Sequence, residues 1–336
     1  MRFFAAVGLL VASGAAFLPN AAMAQSAPII MKIGTATIND STHEWLKLFA
    51  KHVEADSVGR IKGEVYPASQ LGSSPRMTEQ TQLGTIQGFA GSPEFMVGLD
   101  SRYQALSAAG IFTDVPQMNR VLQDAQFNKA FLALGSDKGL MGVGLLIGAP
   151  SVFDTRKPIN KLADLEGMKI RILAGRMQTA QIRAIKASPI PMSLGEVLPA
   201  LQQGALDGVV GGLPVLNALR YYDAAKYIVE TNHGLLAAIG VISKRWFDTL
   251  PADLKEVVVK AGQKASVDVY DFAVADIDRA RQNWIKSGGE ITKLDAGDQR
   301  TLMKLLADAS EREMSDDPKN KEIYTLLRTV ADRAAK

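Results

Sequence analysis

The sequence predicts an α/β protein of two lobes, joined by returning strands and by one long helix. Strand-like segments alternate with helix-like segments along most of the chain, which is typical of mostly parallel sheets covered by helices. The pattern changes after Pro251, where residues 251–287 contain no turn signal except Gly262. Because ordinary helices have about 11–12 residues, this stretch predicts one unusually long helix. Two facing lobes predict a ligand cleft beyond the carboxyl ends of the strands.

The first half of the chain has a regular succession of elements. Residues 41–57 place Trp45, Leu46, Phe49 and Val53 at helical spacing behind a cap at Ser41 or Thr42. By the same criteria, the half contains predicted strands at 29–37, 60–67, 86–93 and 141–148, and helices at 41–57, 74–84 and 118–134.

The second half restarts the pattern and then ends in helices. Gly204 and the pair Gly288-Gly289 are helix-stop signals. Strands are predicted at 168–173, 188–193, 206–212, 227–232, 237–247 and 289–295, and helices at 177–186, 194–204 and 251–287, with two more helices at the end.

The first 24 residues are typical of a secretory signal peptide. Arg2 precedes an apolar run, 3–18, and small residues at Ala22 and Ala24 predict cleavage before Gln25. The apolar run is shorter than the ~20 residues that span a bilayer. We therefore expect an exported, periplasmic protein. Since the chain has no cysteine, neither disulfides nor a lipid on cysteine can contribute.

Composition and motifs exclude several classes of function. The formal net charge is +3 with both signs interspersed, which predicts no nucleic-acid partner. With three histidines, no cysteine and no H-E-x-x-H sequence, the chain predicts no metal and no cofactor. The turn "GFAGSPE" is not a G-x-S-x-G nucleophile elbow, and no Walker sequence occurs. A binding protein is favoured over an enzyme.

Arg171 is the candidate for binding an anion. In the segment "MKIRIL", alternation places Ile170 and Ile172 on one face and Arg171 on the other. One interpretation is a solvated arginine on an edge strand. The other is a cleft arginine, whose planar guanidinium matches the two oxygens of a carboxylate. Periodicity alone does not choose between them.

Three segments resemble the solute-binding proteins of tripartite ATP-independent periplasmic (TRAP) transporters, the C4-dicarboxylate (DctP-like) type. They are "YPASQLGSSPRMTEQTQLGTIQ", "LADLEGMKIRI" and "ASPIPMSLGEVLPALQQGALDG". The second resembles the family's D-x-x-G-x-K-x-R-V strand, and the third resembles its long G-A-x-P-x-P-M segment. The resemblance extends over essentially the whole mature chain.

The resemblance implies the periplasmic binding protein fold, in which two lobes close over an organic acid. It implies that Arg171 pairs with the ligand carboxylate, and that TRAP membrane subunits receive the ligand. We expect lobe I to comprise 25–148 plus 237–277, lobe II to comprise 149–236 plus 278–336, and the protein to be a monomer. The expected site residues are Arg171, Ser92, Ser193, Gly211, Thr37 and Arg176.

Departures from the family pattern bear on the ligand. The sequence "DGVVGGLP" replaces polar residues of the family's D-G-x-E-N-P, and no second arginine precedes Arg171 near Pro150. These changes favour a monocarboxylate with an apolar or aromatic body. A dicarboxylate is the alternative, with Arg176 or a backbone amide holding its second end. The alternative functions are a secreted enzyme acting on a small carboxylate and a receptor that serves a membrane sensor.

Overall fold

The computed structural model describes residues 27–173 and 175–335 of the 336-residue chain. The predicted signal peptide lies outside these residues. The described strands are β1 (Ile29–Gly34), β2 (Ile61–Tyr66), β3 (Gly88–Gly91), β4 (Leu140–Thr155), β5 (Lys169–Ile172), β6 (Ser188–Pro191), β7 (Gly208–Gly212), β8 (Tyr227–Val229), β9 (Leu235–Ser243) and β10 (Glu290–Thr292).

The helices cover these strands on both sides. They are α1 (Ser41–Asp56), α2 (Ser74–Leu83), α3 (Val115–Gln123), α4 (Ala125–Leu132), α5 (Arg176–Ala184), α6 (Leu194–Gln202), α7 (Leu213–Ala218), α8 (Lys244–Thr249), α9 (Ala252–Asp268), α10 (Tyr270–Lys286), α11 (Ala296–Ser315) and α12 (Pro318–Ala334). The alternation of strands and helices confirms the predicted α/β class.

The strands form two sheets that share β4. The first sheet has the order β2-β1-β3-β9-β4, and the second has the order β10-β8-β4-β7-β5-β6. The N-terminal part of β4 pairs with β9, whereas residues 151–155 pair with β7 and β8. Each sheet is buried between two apolar clusters, one on each face. This three-layer packing of each sheet produces two lobes.

The shared strand is irregular where it passes between the sheets. Register with β9 is kept from Gly144 to Ile147 and shifts before Pro150. The irregularity allows β4 to bend, because a bulge locally breaks the ladder and increases twist. Strand β4 continues through Pro150 to Thr155 and is twice as long as the predicted strand 141–148.

The predicted long helix is interrupted once. Helices α9 and α10 cover 252–286 and meet at Val269, whose backbone keeps right-handed helical angles (φ −78°, ψ −14°). The amide of Val269 donates to the carbonyl of Ala265, and the amide of Ala273 donates to that of Val269. The chain thus continues in nearly the same direction through the break, and α10 packs against α7 while α9 packs against α1.

Two other predictions of helix limits were wrong in detail. The predicted helix 118–134 is two helices, because the Asp124 carboxylate caps α4 by accepting from the amides of Gln126 and Phe127. The cap of α1 is Asp40 rather than Ser41 or Thr42, since its carboxylate accepts from the amide of His43. Both cases follow the preference of Asp for helix N-caps.

Candidate ligand-binding site

Arg171 lies in the interior of the second sheet. Strand β5 is paired on one side with β6 and on the other with β7, opposite Ile190 and Val209. As the alternation predicts, Ile170 and Ile172 enter the apolar core on the opposite face. The Arg171 side chain is only 2% exposed. The interpretation as a solvated arginine on an edge strand was therefore wrong.

The guanidinium of Arg171 is only partly satisfied by the protein. Its Nε donates to the carbonyl oxygen of Met192 at 2.9 Å. Its Nη2 is buried and has no hydrogen-bond partner among the described residues. Burial lowers the pKa of Arg171 to about 10, so the group is still charged at neutral pH. No ion pair joins it to a carboxylate within the described ranges.

A cavity of about 100 Å³ lies against Arg171, between the two sheets. Residues from the first lobe contribute mainly hydroxyls, a carboxylate and an aromatic ring: Thr35, Thr37, Asp40, Ser41, Thr42, Ser74, Ser92 and Phe95. Residues from the second lobe contribute mainly aliphatic groups beside the arginine: Leu173, Leu194, Val210, Pro214, Val215 and Leu216. Most of the polar groups thus belong to the first-lobe wall, whereas the second-lobe wall carries Arg171 and the amide of Gln178 among aliphatic side chains.

The structure brings four of the predicted site residues together. Thr37, Ser92 and Gly211 line the same cavity as Arg171. Ser92 follows β3 and caps a short 3₁₀ helix, accepting from the amide of Glu94. Gly211 is in β7, where a Cβ would lie 2.8 Å from the side chain of Leu216. The site therefore forms where strands of both sheets end.

Ser193 and Arg176 do not line this cavity. Ser193 caps α6, with its amide donating to the Glu196 carboxylate at 3.2 Å, and it borders a neighbouring groove instead. The Arg176 side chain is 74% exposed and its Nε lies 3.0 Å from Glu313. An arginine engaged at the surface in this way is not placed to hold the second end of a ligand that Arg171 holds.

Sequence reasoning missed Asp40, which is 3% exposed and lines the cavity. Its Oδ1 accepts from the Thr37 hydroxyl at 2.8 Å and from the His43 amide at 3.0 Å. Burial, with a smaller repulsion from Asp276, raises the pKa of Asp40 to about 6. The signal available in the sequence was an Asp at a helix start, which by itself indicates only a cap.

Glu94 is a second buried carboxyl that the sequence did not reveal. It follows β3 and reaches the turn before α5, where a Cβ on Gly175 would lie 1.3 Å from its Oε2. Neither of its oxygens has a partner among the residues described, and burial raises its pKa to about 7. Glu94 therefore joins the two lobes by close packing rather than by an ion pair.

Other features of the described residues bear on the class of protein. No group of three or more His, Cys, Asp or Glu side chains in 27–173 and 175–335 is arranged to hold a metal ion. The buried His233 contacts the Thr231 hydroxyl at 2.6 Å, and burial lowers its pKa to about 4. Within the same ranges, no helix is long and apolar enough to cross a membrane.

Comparison with known proteins identifies the family of the chain. The family model for bacterial extracellular solute-binding proteins, family 7 (DctP), matches residues 34–316. The 2,3-diketo-L-gulonate-binding periplasmic protein YiaO of Escherichia coli K12 is 28% identical over 291 residues, which are 85% of this chain and 87% of that protein. The C4-dicarboxylate-binding periplasmic protein DctP of Shewanella loihica is 28% identical over 247 residues, 73% of each chain.

A solved structure shows the same fold. The crystal structure of a TRAP periplasmic solute-binding protein from Polaromonas, bound to D-erythronate, is similar with a TM-score of 0.83 at 25% identity, covering 89% of this chain and 98% of that chain. Since the family model extends from β1 to the end of α11, it includes the strand of Arg171 and both walls of the cavity. The chain belongs to the DctP family of bacterial extracellular solute-binding proteins, family 7, and is a solute-binding receptor of the TRAP type.

Proposed function

We propose that this receptor captures an organic acid by pairing the ligand carboxylate with the Nη1 and Nη2 groups of Arg171. The supporting observation is the hydrogen bond from Nε to the Met192 carbonyl. That bond occupies the side edge of the guanidinium and leaves the end-on pair of donors for a ligand. A carboxylate that accepts two parallel N–H bonds matches this pair in geometry and in charge.

Burial without an ion pair makes Arg171 suited to this role. A buried charge without a counter-ion is unfavourable, and the lowered pKa is a measure of that cost. An incoming carboxylate would supply the missing counter-charge in a site that excludes most water. Binding energy would therefore be concentrated at one residue, and uncharged analogues of the same acid would bind poorly.

The ligand that we propose is a monocarboxylate with a largely apolar body. Aliphatic residues of the second lobe, including Val210, Pro214 and Val215, surround the place where that body would lie. Relatives differ in the acids named for them, from D-erythronate to C4-dicarboxylates. Here Arg176 is paired with Glu313 at the surface, which favours one carboxylate over two.

The remaining steps of transport follow from this role. We propose that the lobes, 25–148 plus 237–277 and 149–236 plus 278–336, close over the acid and present it to TRAP membrane subunits. The shift of the β4–β9 register between Ile147 and Pro150 supports a hinge at that place. The mature protein would be a periplasmic monomer that begins after cleavage near Ala24 and that binds its ligand without altering it.

A thermal-shift screen with organic acids tests the proposal. A ligand present at 100 times its Kd should stabilise the protein by about 2.7 kcal/mol. The matched control is the amide of each acid that gives a shift, because it has the same shape and no charge. Acids should raise the melting temperature and their amides should not. A screen in which amides or neutral sugars stabilise as well as acids do would reject the carboxylate receptor.

A further inference from the structure

Thr35, Thr37 and Asp40, on the wall of the cavity that belongs to the first lobe, are linked by hydrogen bonds. The Thr37 hydroxyl donates its proton to Asp40 Oδ1 at 2.8 Å. A hydroxyl has one proton, so the 3.2 Å contact between the Thr35 and Thr37 hydroxyls has Thr35 as its donor. Both threonine protons are therefore directed along the wall towards Asp40. What Thr35 and Thr37 offer to a ligand is therefore lone pairs rather than protons.

Asp40 is the last acceptor in this series of hydrogen bonds, and only its Oδ1 takes part in it. Its Oδ1 is occupied by the Thr37 hydroxyl and by the amide of His43. Its Oδ2 accepts no hydrogen bond from the described part of the chain, although the residue is 3% exposed and lines the cavity. Burial of the Asp40 side chain, with a smaller repulsion from Asp276, raises its pKa to about 6, so a proton donor at Oδ2 would stabilise the charged form.

Arg171 and Asp40 give the cavity two groups of opposite charge. The arginine belongs to β5 of the second sheet, and the aspartate belongs to the start of α1 beside the first sheet. The arginine presents positively charged donors, and the aspartate presents a negatively charged acceptor. Aliphatic residues line the same cavity. A ligand that satisfies both groups carries a carboxylate for the arginine and, away from it, a proton donor for the aspartate.

We propose that Asp40 is a specificity-determining residue, and that the ligand is a monocarboxylate with a hydroxyl or ammonium group at its far end. The inference rests on the proposed function, since it assumes that Arg171 holds the carboxylate. A dicarboxylate would place its second negative charge against Asp40, which disfavours it. An unsubstituted acid would leave Asp40 Oδ2 without a partner.

Calorimetry with acids of matched length tests this inference. The probes are an unsubstituted acid, its terminal hydroxyl and amino derivatives, and the corresponding dicarboxylate: for four carbons, butyrate, 4-hydroxybutyrate, 4-aminobutyrate and succinate. Corresponding sets of three- and five-carbon acids vary the distance between the carboxylate and the terminal group. For the best length, the hydroxyl or amino acid should bind about tenfold or more tightly than the unsubstituted acid and the dicarboxylate. This order is measured on the unaltered mature protein and needs no variant.

Asp40→Asn should abolish the preference for acids with a terminal hydroxyl or amino group. Asn is an N-cap of equal quality, so α1 should be retained. The variant should bind the amino acid about tenfold or more weakly while binding the dicarboxylate at least as well as before. The matched control is Asp114→Asn, which alters the N-cap of α3 outside the cavity and should change no affinity. Melting temperatures of both variants would show whether they fold.

Two results would overturn the inference. The first is a dicarboxylate or unsubstituted acid that binds the unaltered protein most tightly. The second is an unchanged order of affinities in Asp40→Asn when the variant is folded. Failure of every probe to bind also rejects this ligand class. In all three cases, loss of binding of some other acid in Arg171→Ala would show that the carboxylate receptor itself is correct.

Discussion

Arg171 and Asp154 lie in one row across the second sheet, on the same face and separated by Val209 of β7. Asp154 is fully buried, and neither of its carboxyl oxygens has a partner in the described part of the chain. Burial raises the pKa of Asp154 well above its usual range. Burial thus favours the neutral carboxyl, and Asp154 forms no ion pair with Arg171.

The raised pKa of Asp154 predicts a dependence of stability on pH. A carboxyl whose pKa is raised on folding stabilises the protein below its unfolded pKa, and this contribution is lost as pH rises through the folded pKa. Asp154→Asn cannot ionise. As the pH rises above the unfolded pKa of Asp, about 4, the variant's free energy of unfolding should therefore increase relative to wild type, by up to about 1.4 kcal/mol per pH unit, until the pH passes the folded pKa.

Urea denaturation at several pH values measures this difference. Asp308→Asn is the control, because Asp308 lies at the surface in an i,i+4 pair with Lys304 and should show little effect. If the difference in free energy of unfolding between Asp154→Asn and wild type stays constant with pH, Asp154 is ionised in the folded protein and its pKa is not raised.

Arg171→Ala should lose most of the affinity for the organic acid. A carboxylate left without its paired donors loses about 2–5 kcal/mol of binding free energy. Arg171→Lys should recover only part of the loss, because an ammonium group does not present two parallel donors. Isothermal titration calorimetry measures both, and Arg176→Ala is the control, since that arginine pairs with Glu313 outside the cavity. Equal affinities for Arg171→Ala and wild type would refute the role of Arg171.

Ligand binding should make the protein more compact. The lobes should rotate about the crossing strands near Gly148 and His233, and the α9–α10 helix should bend near Val269, where it is already interrupted. Small-angle scattering with a saturating acid should give a smaller radius of gyration than without it. Arg171→Ala under the same conditions is the control and should stay unchanged. An identical radius for free and liganded wild type would argue against closure.

The apolar wall predicts a preference among acids. The side chains of Val210, Pro214 and Val215 offer no hydrogen-bond partner, so the hydroxyls of a sugar acid that lie against them would lose water without replacement. Acids with an apolar middle should displace galacturonate in competition binding. Apolar walls discriminate by only about 1–3 kcal/mol per methylene, so a graded order with chain length is expected. Tighter binding of galacturonate would contradict this preference and leave the receptor assignment intact.

The sequence predicted the order of elements well, because local signals determine them. Periodicity identified α1, Gly84 ends α2 in the left-handed conformation (φ +81°), and alternation gave the correct face to Arg171. The division of the predicted helix 118–134 at Asp124 was missed. In the sequence, an acid within an apolar pattern resembles an exposed helical residue, and only the structure shows that its side chain caps α4. The length of β4 was missed because the apolar run that predicts the strand ends at Gly148, whereas the strand continues to Thr155.

The buried carboxyl groups in and around the site were harder to predict from the sequence than Arg171. Arg171 was found through its strand and through the family resemblance, whereas Asp40, Glu94 and Asp154 were not identified. Their importance comes from burial and from missing partners, which depend on contacts between distant segments. Ser193 and Arg176 were predicted as site residues, but both lie outside the cavity.

A crystal structure of the mature protein with a bound acid tests the central claim most directly. The ligand carboxylate should lie about 2.7–2.9 Å from both Nη1 and Nη2 of Arg171, the spacing of charge-assisted hydrogen bonds, while Nε still donates to the Met192 carbonyl. A carboxylate bound elsewhere, with Arg171 contacting only protein atoms, would contradict the assignment of Arg171 as the residue that recognises the ligand.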